Sequence, residues 1–272
     1  MNQKTKRLLK EWAPSGLLRI LKSQKGITWS GDYGSWAEAL AASAGYEDSS
    51  ILRKVREAAL KVKSGEAAYE RDSVLFYEKN YRWPVLAILL KVAALKGNRL
   101  RVLDVGGSLG SSYFQHRDFL NHLFEICWSI VEQKTFVSCG KTYFETKELS
   151  FYEDLDSGFA ENPIDVVLLS GVLPYVENPY DLLGKVFSYQ VPHIIIDRTP
   201  FLLAGNRDRL TVQKVPPSIY PASYPAWFFN KAKFLRFVEK RYRIVTIFGT
   251  EDEANIPCEY KGLFLEKLDI GS

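Results

Sequence analysis

The fold of this chain is decided by Val102-Leu-Asp-Val-Gly-Gly-Ser-Leu-Gly110. An apolar run interrupted by one acid, Asp104, is followed by glycines at positions 106, 107 and 110. Glycine lets the backbone turn sharply and approach a ligand closely. A buried strand that ends in such a turn and continues into a helix is typical of α/β domains that bind nucleotides or nucleosides. The stretch therefore predicts the first strand and the ligand loop of a Rossmann-like domain.

The spacing of these glycines separates the ligand classes. The dinucleotide fingerprint G-x-G-x-x-G, counted from Gly106, needs glycine where Ser108 and Ser111 stand, and the G-K-[ST] of a P-loop is missing. An acid beside the loop, Asp104, suits a cofactor with a cationic amino-acid tail better than a pyrophosphate, which prefers helix N-terminal N–H groups. Of the known ligands of such loops, S-adenosylmethionine (SAM) is therefore favoured. A tight turn without a ligand is the alternative for Gly106, Gly107 and Gly110.

Short β-branched runs alternate with helical runs after this stretch. We predict strands at 100–105, 126–132, 149–152, 164–170, 193–197, 243–248 and 263–268. The run Ile164-Asp-Val-Val-Leu-Leu169 is apolar on both faces, as a central parallel strand should be. Strands that alternate with helices predict an α/β fold: a Rossmann-like, mostly parallel sheet of about seven strands.

Residues 1–96 are predicted to form a helical region that caps a SAM-binding domain over 97–272. The helical patterns lie at 36–44, 51–63, 66–80 and 84–95. Residues 26–36 are predicted as a glycine-rich aromatic loop. Residues 211–229 are predicted as a stiff loop rich in proline and aromatic residues, either a lid over the site or a packed crossover.

Composition and charge exclude several classes of protein. The 272 residues are 46% hydrophobic and 25% charged, the balance of a globular chain. Three cysteines without a CxxC pair and three histidines predict neither a disulfide framework nor a metal site. The longest apolar run, residues 85–95, is shorter than the roughly 20 residues of a membrane span. We expect a cytoplasmic protein.

The basic charge is concentrated in an N-terminal arm. Residues 1–25 hold seven basic side chains against one acid, while the whole chain carries a net charge of +4. The body of the chain is therefore slightly acidic, which argues against a nucleic-acid partner. The arm is amphipathic and has two interpretations: contact with an anionic membrane surface, or packing of its apolar side on the protein.

Acids and polar residues follow the later predicted strands. In a parallel sheet these positions share one edge, where ligands bind. Glu132, with Gln133 beside it, is placed to accept hydrogen bonds from ribose hydroxyls. Glu153 and Asp154 are both candidates for the adenine amino group, and the spacing does not choose between them. Ser170 would face the same crevice.

The candidates for catalysis are few. Asp197 ends the strand of three isoleucines, and we favour it as the base or as a group that orients the acceptor. His116 is the second candidate, with the alternative that it caps a helix turn. Arg198 would hold a phosphate or carboxylate of the acceptor. Arg71 would hold the carboxylate of the cofactor, or form a surface ion pair with a neighbour.

Aromatic side chains are predicted to form the acceptor site, since flat aromatic rings suit flat sugar faces. The alternative for each is ordinary packing. The residues are Tyr33, Tyr113, Tyr175, Tyr220 and Tyr224.

Several motifs resemble known families. Leu103-Asp-Val-Gly-Gly107, Val131-Glu-Gln133 and Leu169-Ser-Gly-Val-Leu173 are similar to class I SAM-dependent methyltransferases. A wider set resembles a family of methyltransferases encoded among bacterial surface-polysaccharide (O-antigen and capsule) biosynthesis genes. That set is Ser30-Gly-Asp-Tyr-Gly-Ser-Trp-Ala-Glu-Ala39, Tyr69-Glu-Arg-Asp72, Asp104-Val-Gly-Gly-Ser-Leu-Gly-Ser-Ser-Tyr113 and Ile196-Asp-Arg-Thr-Pro200.

The resemblance covers the chain from about residue 28 to the end. It implies a SAM-binding fold and a sugar or glycan acceptor, methylated at oxygen in our interpretation, and it gives no catalytic residue. Two other classes stay open. One is a non-catalytic module that binds SAM or S-adenosylhomocysteine (SAH) in a polysaccharide assembly complex. The other is a nucleotide-sugar or nicotinamide enzyme, against which the missing glycine counts.

Overall fold

The computed structural model describes residues 26–43, 48–71, 73–217, 219 and 222–268. The basic arm, residues 1–25, and the predicted acceptor residue Tyr220 lie outside the described residues. Among the described residues, no helix is long and apolar enough to cross a membrane.

Helices and strands alternate along most of the described chain. The strands are β1 (Thr28–Tyr33), β2 (Tyr69–Arg71), β3 (Val74–Phe76), β4 (Arg99–Val105), β5 (Glu125–Val131), β6 (Leu149–Tyr152), β7 (Val166–Ser170), β8 (His193–Leu202), β9 (Arg209–Val215), β10 (Ala222–Phe228), β11 (Tyr242–Gly249) and β12 (Cys258–Lys267). The helices are α1 (Trp36–Ala41), α2 (Asp48–Lys63), α3 (Trp83–Leu95), α4 (Ser111–Leu120), α5 (Lys134–Tyr143), α6 (Leu155–Ala160), α7 (Pro179–Ser188) and α8 (Lys231–Glu239). A short 3₁₀ turn spans Leu173–Tyr175.

The central sheet among the described residues has seven strands in the order β11-β12-β8-β7-β4-β5-β6. The five strands from β8 to β6 are parallel, and β12 runs antiparallel to both of its neighbours. The predicted α/β class and the mostly parallel Rossmann-like sheet are confirmed. Each predicted strand corresponds to an observed one, although β8 and β12 are longer than predicted.

The core lies on both faces of this sheet. Along β7, Val166 and Leu168 pack with α2, α3, α4 and α5 on one face, while Val167 and Leu169 pack with α6, α7 and α8 on the other. Successive strand residues point to opposite faces, so a strand covered on both sides needs apolar residues throughout. This explains the continuous apolar run that predicted a central strand.

The helix predicted over 66–80 is wrong. Within this range, β2 and β3 form a hairpin in which Tyr69 pairs with Phe76 and their rings stack at 4.5 Å. Ser73 adopts a left-handed backbone, φ 69°, in the turn. The short strands carry too few residues to display an alternating pattern, and cross-strand aromatic stacking stabilises the hairpin instead.

The loops predicted over 26–36 and 211–229 are also wrong, because both contain strands. β1, β9 and β10 form a second, antiparallel sheet in the order β1-β9-β10, which we call the cap sheet. Pro225 lies in β10, which is an edge strand. Edge strands tolerate proline because a residue there can lack an N–H without loss of a hydrogen bond between strands. Because β1 pairs with β9, the cap sheet joins an early segment to a late one. The domain boundary after residue 96 stays a prediction.

Two helix glycines give a matched test of this packing. A Cβ at Gly140 in α5 would clash with the ring of the buried Phe151, whereas a Cβ at Gly184 in α7 would meet nothing within 4 Å. We expect Gly140→Ala to lower the free energy of unfolding by about 1–3 kcal/mol through overpacking. Gly184→Ala should raise it by up to about 1 kcal/mol through helix propensity. Urea denaturation measures both, and an equal shift of the same sign would contradict the packing described.

Candidate functional site

A cavity of about 1110 Å³ opens at one edge of the central sheet. In the parallel register, Asp104 pairs with both Ile130 and Leu168, and Ser170 pairs with Asp197. The carboxyl ends of β4, β5 and β7 therefore lie at the same edge of the sheet, level with Asp197 in the middle of β8. Loops after these strands form the floor of the cavity, and residues of the cap sheet, α1, α2 and the β2–β3 hairpin complete its walls.

The glycine loop after β4 requires glycine at two positions. Gly106 has φ 71°, and a Cβ there would lie 2.6 Å from Cγ2 of Val172. A Cβ at Gly107 would lie 2.6 Å from Cγ of Asp104. Both glycines line the cavity, so the backbone itself faces any ligand there. Gly110, φ 100°, precedes α4 and is not among the described lining residues.

Asp104 lies beneath the glycine loop, where the sequence predicts an acid for a cationic tail. Its side chain is almost fully buried, and Trp128 Nε1 donates to its Oδ2 at 3.1 Å. Burial raises the pKa of Asp104 to about 7, the charge of Glu132 adds to this, and the hydrogen bond from Trp128 opposes it. The carboxyl borders the cavity, so a cation there would favour its ionised form.

Glu132 follows β5 and lines the cavity together with Gln133. Its Oε1 accepts from the backbone N–H of Ser108 at 3.2 Å, and its Oε2 accepts from that of Gln133 at 2.8 Å. Burial raises the pKa of Glu132, and these two hydrogen bonds lower it. A carboxylate oxygen can accept more than one hydrogen bond, so both oxygens retain capacity for a ligand hydroxyl.

The two acids predicted for adenine lie apart from this site. Glu153 and Asp154 are exposed, and neither is among the described residues that line the cavity. Asp154 caps α6, since its Oδ1 accepts from the backbone N–H of Ser157 at 2.7 Å. The local pattern of an acid before a helix accounts for this position.

Both predicted bases are buried. Asp197 is fully buried and accepts from Nη2 of Arg82 at 2.7 Å and from Oγ of Ser170 at 3.1 Å. His116 is buried in α4 with Nδ1 2.8 Å from the carbonyl oxygen of Ser112, and burial lowers its pKa to about 4. Neither is among the described lining residues, whereas Ser170 is. The geometry of Asp197 suits positioning of Arg82 and Ser170, and a role as base stays a prediction.

Three arginines line the cavity near the end of β7. Arg71 and Arg198 are in the predicted set, and Arg82 is not. Arg198 Nε donates to Oδ1 of Asp252 at 3.0 Å, and Asp252 was also missed. A signal for Asp252 was present: the acidic run 251–253 directly follows β11, which runs parallel to β8 and therefore ends at the same edge.

Tyrosines form part of the opposite wall. Tyr175 donates to Oε1 of Gln213 at 2.9 Å, and Gln213 Nε2 lies 3.0 Å from the hydroxyl of Tyr224. The rings of Tyr175 and Tyr224 meet edge to face at 5.5 Å. The structure therefore brings together two of the predicted acceptor residues, and it adds Gln213 from β9 to them.

Two other residues predicted for the acceptor site, Tyr113 and Tyr33, are not among the described residues that line the cavity. Tyr113 is buried against Trp128, and its hydroxyl donates to Oε2 of Glu148 at 2.6 Å. Tyr33 packs with Ala39 and the cap sheet. For these two the packing alternative accounts for the position.

No protein-family model matches the chain, and no curated protein matches it in sequence. Several solved structures are similar. The N-terminal domain of EvdMO1 with SAH and D-fucose is 14% identical, over 82% of this chain and 98% of that one, with a TM-score of 0.48. The 1,6-didemethyltoxoflavin-N1-methyltransferase of Burkholderia thailandensis with bound 1,6-didemethyltoxoflavin and SAH is 14% identical, over 83% of this chain and 92% of that one, with a TM-score of 0.45.

The glycopeptide N-methyltransferase MtfA with SAM is 10% identical, over 67% of this chain and 94% of that one, with a TM-score of 0.46. At these scores the likenesses decide no function.

The raised pKa of Asp104 predicts a pH-dependent stability. Between its ordinary value of 3.8 and about 7, the folded protein binds a proton that the unfolded chain releases, so this contribution to stability is lost as the pH rises through that window. We expect Asp104→Asn, which keeps an acceptor for Trp128, to raise the free energy of unfolding at about pH 8 by about 1 kcal/mol or more. Urea denaturation at several pH values measures this. The gain should shrink towards about pH 5, and a pH-independent gain would contradict the raised pKa.

The buried pair of Arg82 and Asp197 predicts strong coupling. The Arg82 side chain is 13% exposed and that of Asp197 is 0% exposed, so removal of one charge leaves the other uncompensated. We expect Asp197→Leu to cost about 3–5 kcal/mol of unfolding free energy. The double variant Arg82→Leu/Asp197→Leu should be more stable than the Asp197→Leu single variant. A double-mutant cycle in urea measures the coupling, and additive effects would contradict it.

Proposed function

We propose that this protein is a SAM-dependent methyltransferase whose acceptor is an oxygen of a sugar or of a sugar-containing intermediate of surface-polysaccharide biosynthesis. One observation carries the methyltransferase part. The glycine loop, Asp104 and Glu132 converge at one end of a single cavity, and tyrosines and arginines line its other side.

The residues at the glycine loop fit the cofactor. Gly106 and Gly107 expose backbone, and the oxygens of Glu132 can accept from the two ribose hydroxyls. Asp104 would face the positively charged part of the ligand. When bound, SAM supplies a methyl group on a sulfonium, which reacts by in-line displacement without further activation. The contact of Glu153 or Asp154 with adenine stays a prediction. The exposure of both side chains argues against it.

The cavity leaves room for an acceptor beside the cofactor. Its volume of about 1110 Å³ lies just above the range of about 300–1,000 Å³ that is typical of ligand pockets. The protein's contribution to methyl transfer is then to hold the acceptor oxygen in line with the methyl group and to exclude water. Cap-sheet residues and Tyr175 supply the walls for this purpose.

Two tyrosines and a glutamine support the sugar-related acceptor. Tyr175 and Tyr224 offer aromatic faces joined by Gln213, which has both a donor and an acceptor for hydroxyl groups. The polysaccharide part comes from the motif resemblance alone. A cytoplasmic location and membrane contact through residues 1–25 belong to the same proposal.

One observation favours a second candidate, a module that binds SAM or SAH without catalysis. Both predicted bases, Asp197 and His116, are buried beneath the cavity surface. A binding module needs no base at that surface. Release of SAH with any acceptor distinguishes the two functions.

The role of Glu132 is testable by binding. We expect wild-type protein to bind SAH, and Glu132→Ala to weaken that binding about tenfold or more, because the ribose hydroxyls lose a charged acceptor. Isothermal titration calorimetry measures both. Glu145→Gln, an exposed position after α5, is the control and should bind as wild type does. Absence of SAH binding by the folded wild-type protein would overturn the proposal.

A further inference from the structure

The arginine cluster of the cavity, Arg71, Arg82 and Arg198, is only partly matched by acids. Arg82 pairs with Asp197 at 2.7 Å, and Arg198 pairs with Asp252 at 3.0 Å. Among the described residues, no carboxylate lies within ion-pair distance of Arg71. Burial lowers the pKa of Arg71, and the neighbouring charges of Arg198 and Arg82 lower it further, while Asp252 opposes them. Among the described residues, Arg71 therefore lines the cavity without a carboxylate partner, beside two arginines that each have one.

The backbone of β8 directs one member of the cluster into the cavity. Thr199 pairs with Lys261 and Ile196 pairs with Leu263, so Asp197 and Arg198 together oppose one residue of β12. Arg198 has φ 54°, a left-handed conformation that non-glycine residues rarely adopt. Such bulges re-aim side chains, and such conformations cluster at functional sites. Here Asp197 is buried, while Arg198 lines the cavity beside Gly171.

Arg71 lines the cavity together with Arg82 and Arg198. Besides burial, the largest effects on its pKa come from the charges of Arg198, Asp252 and Arg82, so its guanidinium lies close to the groups at the end of β8. The hydroxyl of Ser111, at the start of α4, donates a hydrogen bond to Oε1 of Glu70, the residue before Arg71. Adjacent strand residues point to opposite faces, so Arg71 is directed away from α4.

We propose that Arg71, together with Arg82 and Arg198, binds a carboxylate or phosphate group of the methyl acceptor. The proposal rests on the methyltransferase function and narrows its acceptor to an anionic class, such as a uronic acid or a sugar phosphate. Guanidinium groups bind both anions through paired N–H donors. Arg71 is thereby reassigned from the cofactor, for which the sequence predicted it, to the acceptor.

The experiment compares three probes that share a hexose ring: glucose 1-phosphate, glucuronate and glucose. Binding of each is measured by ligand-observed NMR and calorimetry, both with saturating SAH and without it. We expect at least one anionic probe to bind wild-type protein at least about tenfold more tightly than glucose. Comparison of phosphate with carboxylate identifies which anion the site prefers.

Three variants accompany the wild type. Arg71→Met removes the guanidinium and keeps a flexible, unbranched side chain. It should weaken binding of the anionic probe about tenfold or more and leave the protein's affinity for SAH unchanged. Arg71→Lys keeps the charge but lacks the planar guanidinium. Its affinity for the anionic probe should lie between those of wild type and Arg71→Met. Arg236→Met, an exposed arginine of α8, is the control and should bind as wild type does. Circular dichroism checks that each variant is folded.

Two outcomes would overturn the proposal. One is that neither anionic probe binds wild-type protein better than glucose. The other is that Arg71→Met weakens SAH but not 5′-methylthioadenosine, which lacks the amino-acid tail, because Arg71 would then hold the cofactor's carboxylate. If wild-type protein does not bind SAH, the methyltransferase proposal fails by itself. Anion binding that is lost in Arg71→Met would then still establish the anion site.

Discussion

The parallel pairing of β4, β5, β7 and β8 is the constraint on which the site depends. In this register the chain must leave each strand at the same edge, so residues far apart in sequence become neighbours. Backbone bonds then fix the first residue beyond each strand: the N–H of Gly106 donates to the carbonyl of Val131, and that of Gly171 donates to the carbonyl of Asp197. The sheet therefore fixes the positions of the side chains that directly follow its strands.

The cavity has two sides of different electrostatic character. Asp104 and Glu132 lie at the glycine loop, and burial opposes the ionisation of both carboxyls. Arg71, Arg82 and Arg198 lie towards β8, where Arg82 is paired with the buried Asp197 and Arg198 with the half-buried Asp252. One side therefore suits a ligand with positive charge, and the other suits a ligand with negative charge. Two ligands of opposite charge would bind there without competition for the same groups.

Sequence reasoning succeeded where a local pattern and the burial it implies agree. The apolar run before Ser170 identifies a strand covered on both faces, and the positions after each strand identify Gly106, Glu132 and Arg198 as cavity residues. It failed where pairing is distant or geometry is irregular. β1 pairs with β9 across most of the chain, and no pattern within residues 26–36 announces that partner. The bulge in β8, which buries Asp197 and directs Arg198 into the cavity, leaves no sequence signature either.

The cap sheet also governs the order in which the protein can be completed. Strand β1 is synthesised early, but it can pair only after residues 209–215 of β9 have been synthesised. In addition, the backbone N–H of Trp29 donates to Oδ1 of Asn255, and Nδ2 of Asn255 donates to the carbonyl oxygen of Trp29. Contacts of such separation carry a large loop-closure cost and form late. On the ribosome, the central parallel strands can pair before the cavity has its roof. A ligand that contacts both the loops of the central sheet and the cap sheet therefore stabilises the completed chain over any shorter intermediate.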